Sequence, residues 1–313
     1  MALLKIAMNP RTSILIRTKN EAKDIARTLD LVTDQTLKPD EIVVVDSGST
    51  DGTIDIVQQR ADVKLITMRP EDFTFGRSLN LGFAATQAEI VIALSAHAFP
   101  CDRDWLKHLV EPFDDPRVAG VYGKQAPHLD AYPPVEREYR SFYGDQPRIQ
   151  TNPQNPDERT FSNANAAIRR QCWEKRPFDE TLSGCEDVEW AWAMLMLGHT
   201  ILYVPDAAVY HSHNEPLSQV YRRTYRETLA LQTLYAQDMG LRDACKTWCH
   251  AVVADWRFIL QQQKDLYWLL RSPLYRLVWV YGYLRPSLPT ALWKPFYKHW
   301  KRGQLGAKEV GSL

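Results

Sequence analysis

The 313-residue chain has no net formal charge, no Cys-x-x-Cys pair and no apolar run near the ~20 residues that a bilayer-spanning helix needs. Each absence removes a class of protein. Five scattered cysteines (Cys101, Cys172, Cys185, Cys245, Cys249) support neither a disulfide framework nor a zinc ribbon. Cys245 and Cys249, one helical turn apart with His250 beside them, read as buried free thiols rather than as a metal clip. The opening ten residues hold too short an apolar stretch for a signal peptide, so a reducing, cytoplasmic setting is expected. No G-x-G-x-x-G follows the first predicted strand and no G-x-x-x-x-G-K-[S/T] occurs anywhere, which argues against dinucleotide and P-loop chemistry. Internal repeats and low-complexity segments are absent too.

What is present describes a folded α/β protein. Hydrophobic content of 45% against 24% charged excludes wholesale disorder. Ser13 to Arg17 reads as a short buried strand, and Ile25, Leu29 and Val32 recur at helical spacing after it. The β-branched run Glu41 to Asp46 is a second strand, closed by the turn residues Ser47 to Gly52. A helix over 53–59, a strand over 63–67, a helix over 76–86 and a strand over 89–94 follow. Alternation of this kind predicts an open, mostly parallel sheet with flanking helices. The stretch 125–161, rich in Pro, Asp, Asn and Tyr, reads as long loops over the site. Beyond it come helices over 166–174 and 186–197, strands over 200–204 and 207–211, and an all-helical region from Asn214. The predicted division is a catalytic domain over 1–213 and a helical, basic and aromatic region over 214–313.

Ligands of open α/β sheets bind outside the carboxyl ends of the strands. Asp46 and the segment Ser95, Ala96, His97 stand at two such ends and are expected to face one crevice. A strand-end carboxylate can accept hydrogen bonds from a ribose or base. The competing reading of Asp46 to Thr53 is a tight turn with Asp51 as helix cap.

At this point a resemblance becomes specific. The run Ser13 to Glu21, then Val44 to Thr53, resembles the opening of glycosyltransferase family 2. Three further blocks follow in that family's order: Gly76 to Gly82 (G-x-x-x-N-x-G), Phe161 to Arg170, and Gly184 to Trp190 with Val209 to His213. The resemblance spans about two-thirds of the chain. It implies the GT-A fold, a Rossmann-like nucleotide-sugar-binding domain, and inverting sugar transfer from a nucleotide diphosphate donor to a hydroxyl of a glycan or lipid-linked glycan. The rival readings are a sugar nucleotidyltransferase and a catalytically inactive binding homologue. A nucleotidyltransferase would carry a glycine-rich basic loop where Thr18, Lys19, Asn20 and Glu21 stand.

The resemblance also assigns residues. Asp187 is the expected base on the acceptor hydroxyl, with Glu186 adjusting its pKa. The donor side is expected to hold Thr18, Asn20, Glu21, Asp46, Ser47, Arg77, Asn80, Ser95, Ala96 and His97, and the acceptor side Asn163, Asn165 and Trp190. The chain departs from the family in two places. Ser95, Ala96 and His97 replace the Asp-x-Asp that holds Mn²⁺ or Mg²⁺ in relatives, leaving His97 with His211 as the candidate ligands, or else Arg77, Lys19 and a protonated His97 as the counter-charge to the diphosphate. Ser47 replaces a second acid that contacts the nucleobase, leaving the base open.

The zero net charge conceals an asymmetry. From Arg257 to Lys308 there are ten Lys/Arg and one acid, Asp265, together with Trp268, Trp279, Trp293 and Trp300. Basic residues mixed with Trp, Tyr and Leu suit an interfacial surface, so residues 257–308 are expected to touch the inner face of the cell membrane as a peripheral contact. Nucleic acid is not an expected partner.

Overall fold

A computed structural model describes residues 10–155, 158–235 and 239–288. It divides the chain into two units, Met1–Asn214 and Glu215–Leu313.

The first unit is built on one mixed sheet. Its strands are β1 (Thr12–Thr18), β2 (Glu41–Asp46), β3 (Val63–Thr67), β4 (Ile90–Ser95), β5 (Phe99–Pro100), β6 (Val118–Ala126), β7 (Arg148–Gln150), β8 (Asn165–Arg169) and β9 (Thr200–Tyr210). The order is β3-β2-β1-β4-β8-β6-β9-β5, with β7 on β9. The β3 to β4 half is parallel throughout, whereas β8 runs antiparallel to both β4 and β6. The chain leaves β1 toward β2 and β3, then returns to place β4 on the other side of β1. The junction of β1 and β4 is therefore where the direction of winding reverses, and a crevice opens at their carboxyl ends.

Both faces of this sheet are buried, which is why its central strands are continuous apolar runs rather than alternating ones. One face carries Ile14, Ile16, Val44, Ile92 and Leu94 against α1 (Ile25–Thr33) and α4 (Trp105–Val110). The other carries Leu15, Val43, Val45, Val91 and Ala93 against α3 (Phe75–Ala85) and α7 (Glu186–Met196). Helix α2 (Thr53–Gln58) follows the turn after β2.

The middle of the chain differs from expectation. Between 125 and 161 lie the end of β6, helix α5 (Pro133–Phe142) and strand β7. Helix α5 starts on two prolines, which its first turn tolerates because the N–H groups there have no intrahelical partner. The expected helix over 166–174 is strand β8 followed by α6 (Arg170–Lys175). Asn165 to Arg169 has the composition of a helix, but burial between β4 and β6 holds it extended. The two strands expected over 200–211 are one strand, β9, whose register against β6 shifts between Gly123 and Gln125. Gly123 is needed there, since a Cβ would sit 1.9 Å from the Ala207 carbonyl oxygen.

The second unit is helical: α8 (Leu217–Tyr235), α9 (Leu241–Gln261) and α10 (Tyr267–Leu284). Asp255 and Arg276, both fully buried, join α9 to α10 through two hydrogen bonds of 2.7 and 2.8 Å. Pro273 lies inside α10 and removes the donor that the Leu269 carbonyl would otherwise receive. The indole N–H of Trp256 supplies one instead, at 2.8 Å. Cys245 and Cys249 are exposed on α9, a correction to their reading as buried thiols: the face they share is the solvent face. Among the described residues no helix is long and apolar enough to cross a membrane. Residues 1–9, which carry the start of the chain, and 289–308, with Trp293 and Trp300, lie outside the described residues.

Candidate active site

Three histidines gather at the carboxyl edge. His97 follows β4, and His211 and His213 follow β9; one donor atom from each lies within 4.8 Å of the other two. The His97 and His211 rings stack with centroids 4.9 Å apart, and His213 meets both edge-on. The ring orientations are set from behind. His97 Nδ1 lies 2.9 Å from Glu21 Oε1, and His211 Nδ1 lies 2.8 Å from Gln125 Oε1. Each acceptor oxygen fixes the proton on Nδ1 and leaves the lone pair on Nε2 able to ligate. Ser95 Oγ is 3.4 Å from His97 Nε2. Burial, with His213 and His97 adjacent, holds the His211 pKa well below the usual imidazole range, so this ring is neutral and able to ligate. Three imidazoles, two of them held by an oxygen at Nδ1, fit a divalent cation.

The carboxylates stand on the other side of a short hub, Ser162 to Ala164. Gln125 Nε2 donates to Ser162 Oγ at 2.9 Å, linking the hub to His211. Asn163 N donates to Asp187 Oδ2 at 3.1 Å, and Ser95 N donates to Ala164 O at 3.1 Å. The end of β4, the imidazole cluster and Asp187 are thus all tied to three consecutive residues at one edge. Glu186 and Asp187 open α7, entered through Cys185 at φ +59°, and Glu186 lies 4.0 Å from Arg17 at the end of β1.

Burial drives both acids the same way. Glu186 is pushed up to about 7 by desolvation and by the charge of Asp187, against the pull of Arg17. Asp187 is raised by desolvation, although the N–H groups of Asn163 and Val188 oppose it. Two buried polar side chains lack hydrogen bonds at this edge. The Thr18 hydroxyl has no partner, and the Asn163 amide, close enough to Glu186 to lower its pKa slightly, leaves both its oxygen and nitrogen unsatisfied. Orphaned polar groups of this kind are costly unless a ligand completes them.

Several residues expected here do other work. Both oxygens of Asp46 are taken by its own turn: Gly48 N and Ser49 N bond to Oδ1 at 2.8 Å, and Ser49 Oγ to Oδ2. The sharp turn at Gly48 (φ +87°) folds those donors back onto Asp46, so the carboxylate braces its own turn. Ser47 is buried with its hydroxyl on the Thr18 carbonyl, and Asn20 is tied to Ser49 and Thr50. Asn80 accepts from Trp173 Nε1 and Phe178 N and donates to Phe178 O and Glu180 Oε1, so its amide is saturated by the 178–180 loop. Arg77 pairs with Glu180 at 2.9 Å and braces the same loop. Gly76 lets that loop approach: a Cβ would lie 2.4 Å from Asp179 O. The whole G-x-x-x-N-x-G block thus braces the 178–180 loop, which leads into α7.

Two acceptor-side expectations are corrected as well. Asn165 is fully buried and holds the β6–β9 bulge through the carbonyls of Lys124 and Ala207 while accepting from Trp105 Nε1. Trp190 is fully buried between Phe161 and Phe178, its N–H on Arg176 O. Its neighbour Trp192 is the half-exposed one, as two helix positions 200° apart require. The sequence reading lacked Gln125, Ser162, Arg17 and the third imidazole. His213 was signalled, since His-x-His at a strand end puts both rings on one side.

Comparison with known proteins agrees with the resemblance. The family model described as glycosyl transferase family 2 matches residues 13–176. The O-antigen chain rhamnosyltransferase RfbN of Salmonella typhimurium is 28% identical over 302 residues, covering 93% of this chain and 90% of that protein. The O-antigen chain rhamnosyltransferase WbaN of Salmonella anatum is 28% identical over 278 residues, covering 85% and 82%. Among solved structures, the mannosyltransferase PcManGT from Pyrobaculum calidifontis, in complex with GDP-Man and Mn²⁺, superposes with a TM-score of 0.58 at 22% identity, covering 94% of this chain and 84% of that one. That likeness shows the GT-A fold.

Proposed function

Since the chain belongs to glycosyltransferase family 2, we propose that it transfers a sugar from a nucleotide diphosphate donor to a hydroxyl of a surface-type glycan, with inversion at the anomeric carbon. The observation that carries this reading is the hub at Ser162 to Ala164, which ties a cluster of anchored imidazoles to a buried carboxylate pair at the winding reversal of the sheet. Asp187 is the base. Its Oδ2 is oriented by Asn163 N, and burial raises its basicity. As the acceptor oxygen attacks, Asp187 takes its proton, and the bond from the anomeric carbon to the diphosphate breaks with the electron pair on the departing phosphate. Glu186 and Arg17 set the charge around the base. A divalent cation held by the imidazoles would neutralise the departing diphosphate.

The relatives narrow the substrates. Two rhamnosyltransferases of O-antigen chains share most of this chain's length, so a nucleotide diphosphate rhamnose and a lipid-linked glycan acceptor are the proposed pair. A peripheral membrane contact, from the cytoplasmic side, suits such an acceptor. Leu270, Leu274 and Leu277, each more than half exposed, line one face of α10 behind the likewise exposed Leu266 at its start, and Val253, Trp256 and Leu260 line one face of α9. Arg257, Lys264 and Arg271 border them, the composition that anionic bilayers attract.

The test is a thermal-shift panel of nucleoside diphosphates and their sugars, followed by transfer assays on wild type and Asp187→Asn. A nucleotide that binds the folded state raises the melting temperature in proportion to the logarithm of its concentration over Kd. Stabilisation by at least one donor, transfer by wild type and loss of transfer in Asp187→Asn is the expected result. Silence toward every nucleotide would overturn the reading. Co-sedimentation with anionic vesicles, reduced in a Leu270→Glu, Leu274→Glu double variant, tests the membrane contact separately.

A further inference from the structure

We propose that His97, His211 and His213 form a transition-metal site that discriminates against Mg²⁺, and that Glu21 and Gln125 are the groups that hold its imidazoles in ligating orientation. The inference deepens the cation part of the proposed function and rests on that reading for what the ion does, but not for whether it binds. This strand end offers Ser95 and His97, with no carboxylate among Ser95, Ala96 and His97. Mg²⁺ prefers oxygen ligands and keeps several waters, whereas imidazole nitrogen suits the later divalent ions, with affinity rising from Mn²⁺ through Co²⁺.

Geometry favours ligation over packing. An imidazole ligand characteristically donates its second nitrogen to a carboxylate or carbonyl, which fixes the tautomer. Here two of the three rings do so, one to the Glu21 carboxylate at 2.9 Å and one to the Gln125 amide oxygen at 2.8 Å. The two anchors come from different parts of the sheet: Glu21 follows β1 and Gln125 lies in β6. Their agreement in engaging Nδ1, which leaves Nε2 to ligate, is not a local accident of one loop. The donor atoms, within 4.8 Å of one another, need small ring rotations to reach one ion at ~2.0–2.1 Å each. Three protein ligands leave further positions open, as a site that must also accept oxygens of a substrate requires.

The experiment uses the chelator-treated full chain with Mg²⁺, Mn²⁺, Co²⁺ and Zn²⁺ as probes, read by calorimetry, by melting temperature and by the visible absorption of Co²⁺. One ion per chain is expected, with Co²⁺ and Zn²⁺ binding at least about tenfold more tightly than Mg²⁺. His213→Ala should abolish the Co²⁺ absorption. Glu21→Ala and Gln125→Ala should weaken binding by about 10–100-fold while keeping the stoichiometry. Equal affinity for Mg²⁺, no binding of Co²⁺ or Zn²⁺, or unchanged Co²⁺ absorption in His213→Ala overturns the site. Should His213→Ala not fold, unchanged affinity in Glu21→Ala, whose side chain is about one-quarter exposed, does the same. The two proposals fail separately. Donor binding and transfer that persist in chelator remove the metal site and keep the sugar transfer; ion binding without any nucleotide response does the reverse.

Discussion

Asp46 and Asp187 are both carboxylates at the carboxyl edge of one sheet, each at the mouth of a turn or helix, yet their surroundings are opposite. Asp46 is wholly buried and receives three hydrogen bonds from the two residues that follow Ser47, closing its own turn. Asp187 receives two backbone N–H groups, one from the Ser162 to Ala164 hub and one from its own helix, and stands beside a second buried acid. A carboxylate that accepts from its own turn spends most of its hydrogen-bonding capacity on local structure. One that is desolvated, under-bonded and next to a like charge is a basic group awaiting a proton. The difference separates a carboxylate that builds the edge from the one proposed as the base.

The sharpest way to break this comparison is to neutralise each acid without changing its shape. Asp187→Asn should lower kcat by about 10²–10⁴ with little change in melting temperature, since a positioned base contributes on that scale. Next comes the pH response of the acid pair. Because Glu186 and Asp187 are both raised, the folded chain keeps protons that the unfolded chain has already released, so their contribution to stability falls as pH rises from the ordinary carboxylate range to about 7. Glu186→Gln should therefore be more stable than wild type at pH 8 by about one to a few kcal/mol and show no advantage at pH 4, measured by urea unfolding. The kcat/KM profile of the wild type should rise through an acid limb lying above the ordinary carboxylate range, and that limb should move to lower pH in Glu186→Gln, which removes the neighbouring charge.

Smaller effects sharpen the other half. Asp46→Ala strands Gly48 N and Ser49 N and should cost about 1–3 kcal/mol of stability, with folded enzyme retaining its turnover. If turnover vanished while the melting temperature held, Asp46 would be a working residue and the contrast would collapse. Gly76→Ala, which drives a methyl group toward the Asp179 carbonyl, should cost about 1–3 kcal/mol and raise KM as the 178–180 loop shifts, which steady-state kinetics on the folded fraction would register.

The legibility of these features varies with how local their causes are. The parallel half of the fold was readable because β2 and β4 are apolar runs buried on both faces, bounded by turn residues. Strand β8 was not, since nothing in Asn165 to Arg169 favours extension until β4 and β6 enclose it. His97 and Asp187 were readable as strand-end and helix-start groups. The bracing bonds of Asn80 and Arg77 were not readable because their partners, Phe178 and Glu180, lie about a hundred positions away and no spacing in the sequence announces them.

Local chemistry in the sequence determined the alternation of strands and helices, the family, and the residue types present at each strand end. Only the tertiary structure decided which of those residues are free to act. Hydrogen-bonding capacity is finite, and whether a carboxylate, amide or imidazole has any left depends on partners that folding brings from elsewhere in the chain. Gln125 and Glu21 turn two histidines into candidate ligands, while Gly48 and Ser49 turn one aspartate into scaffolding.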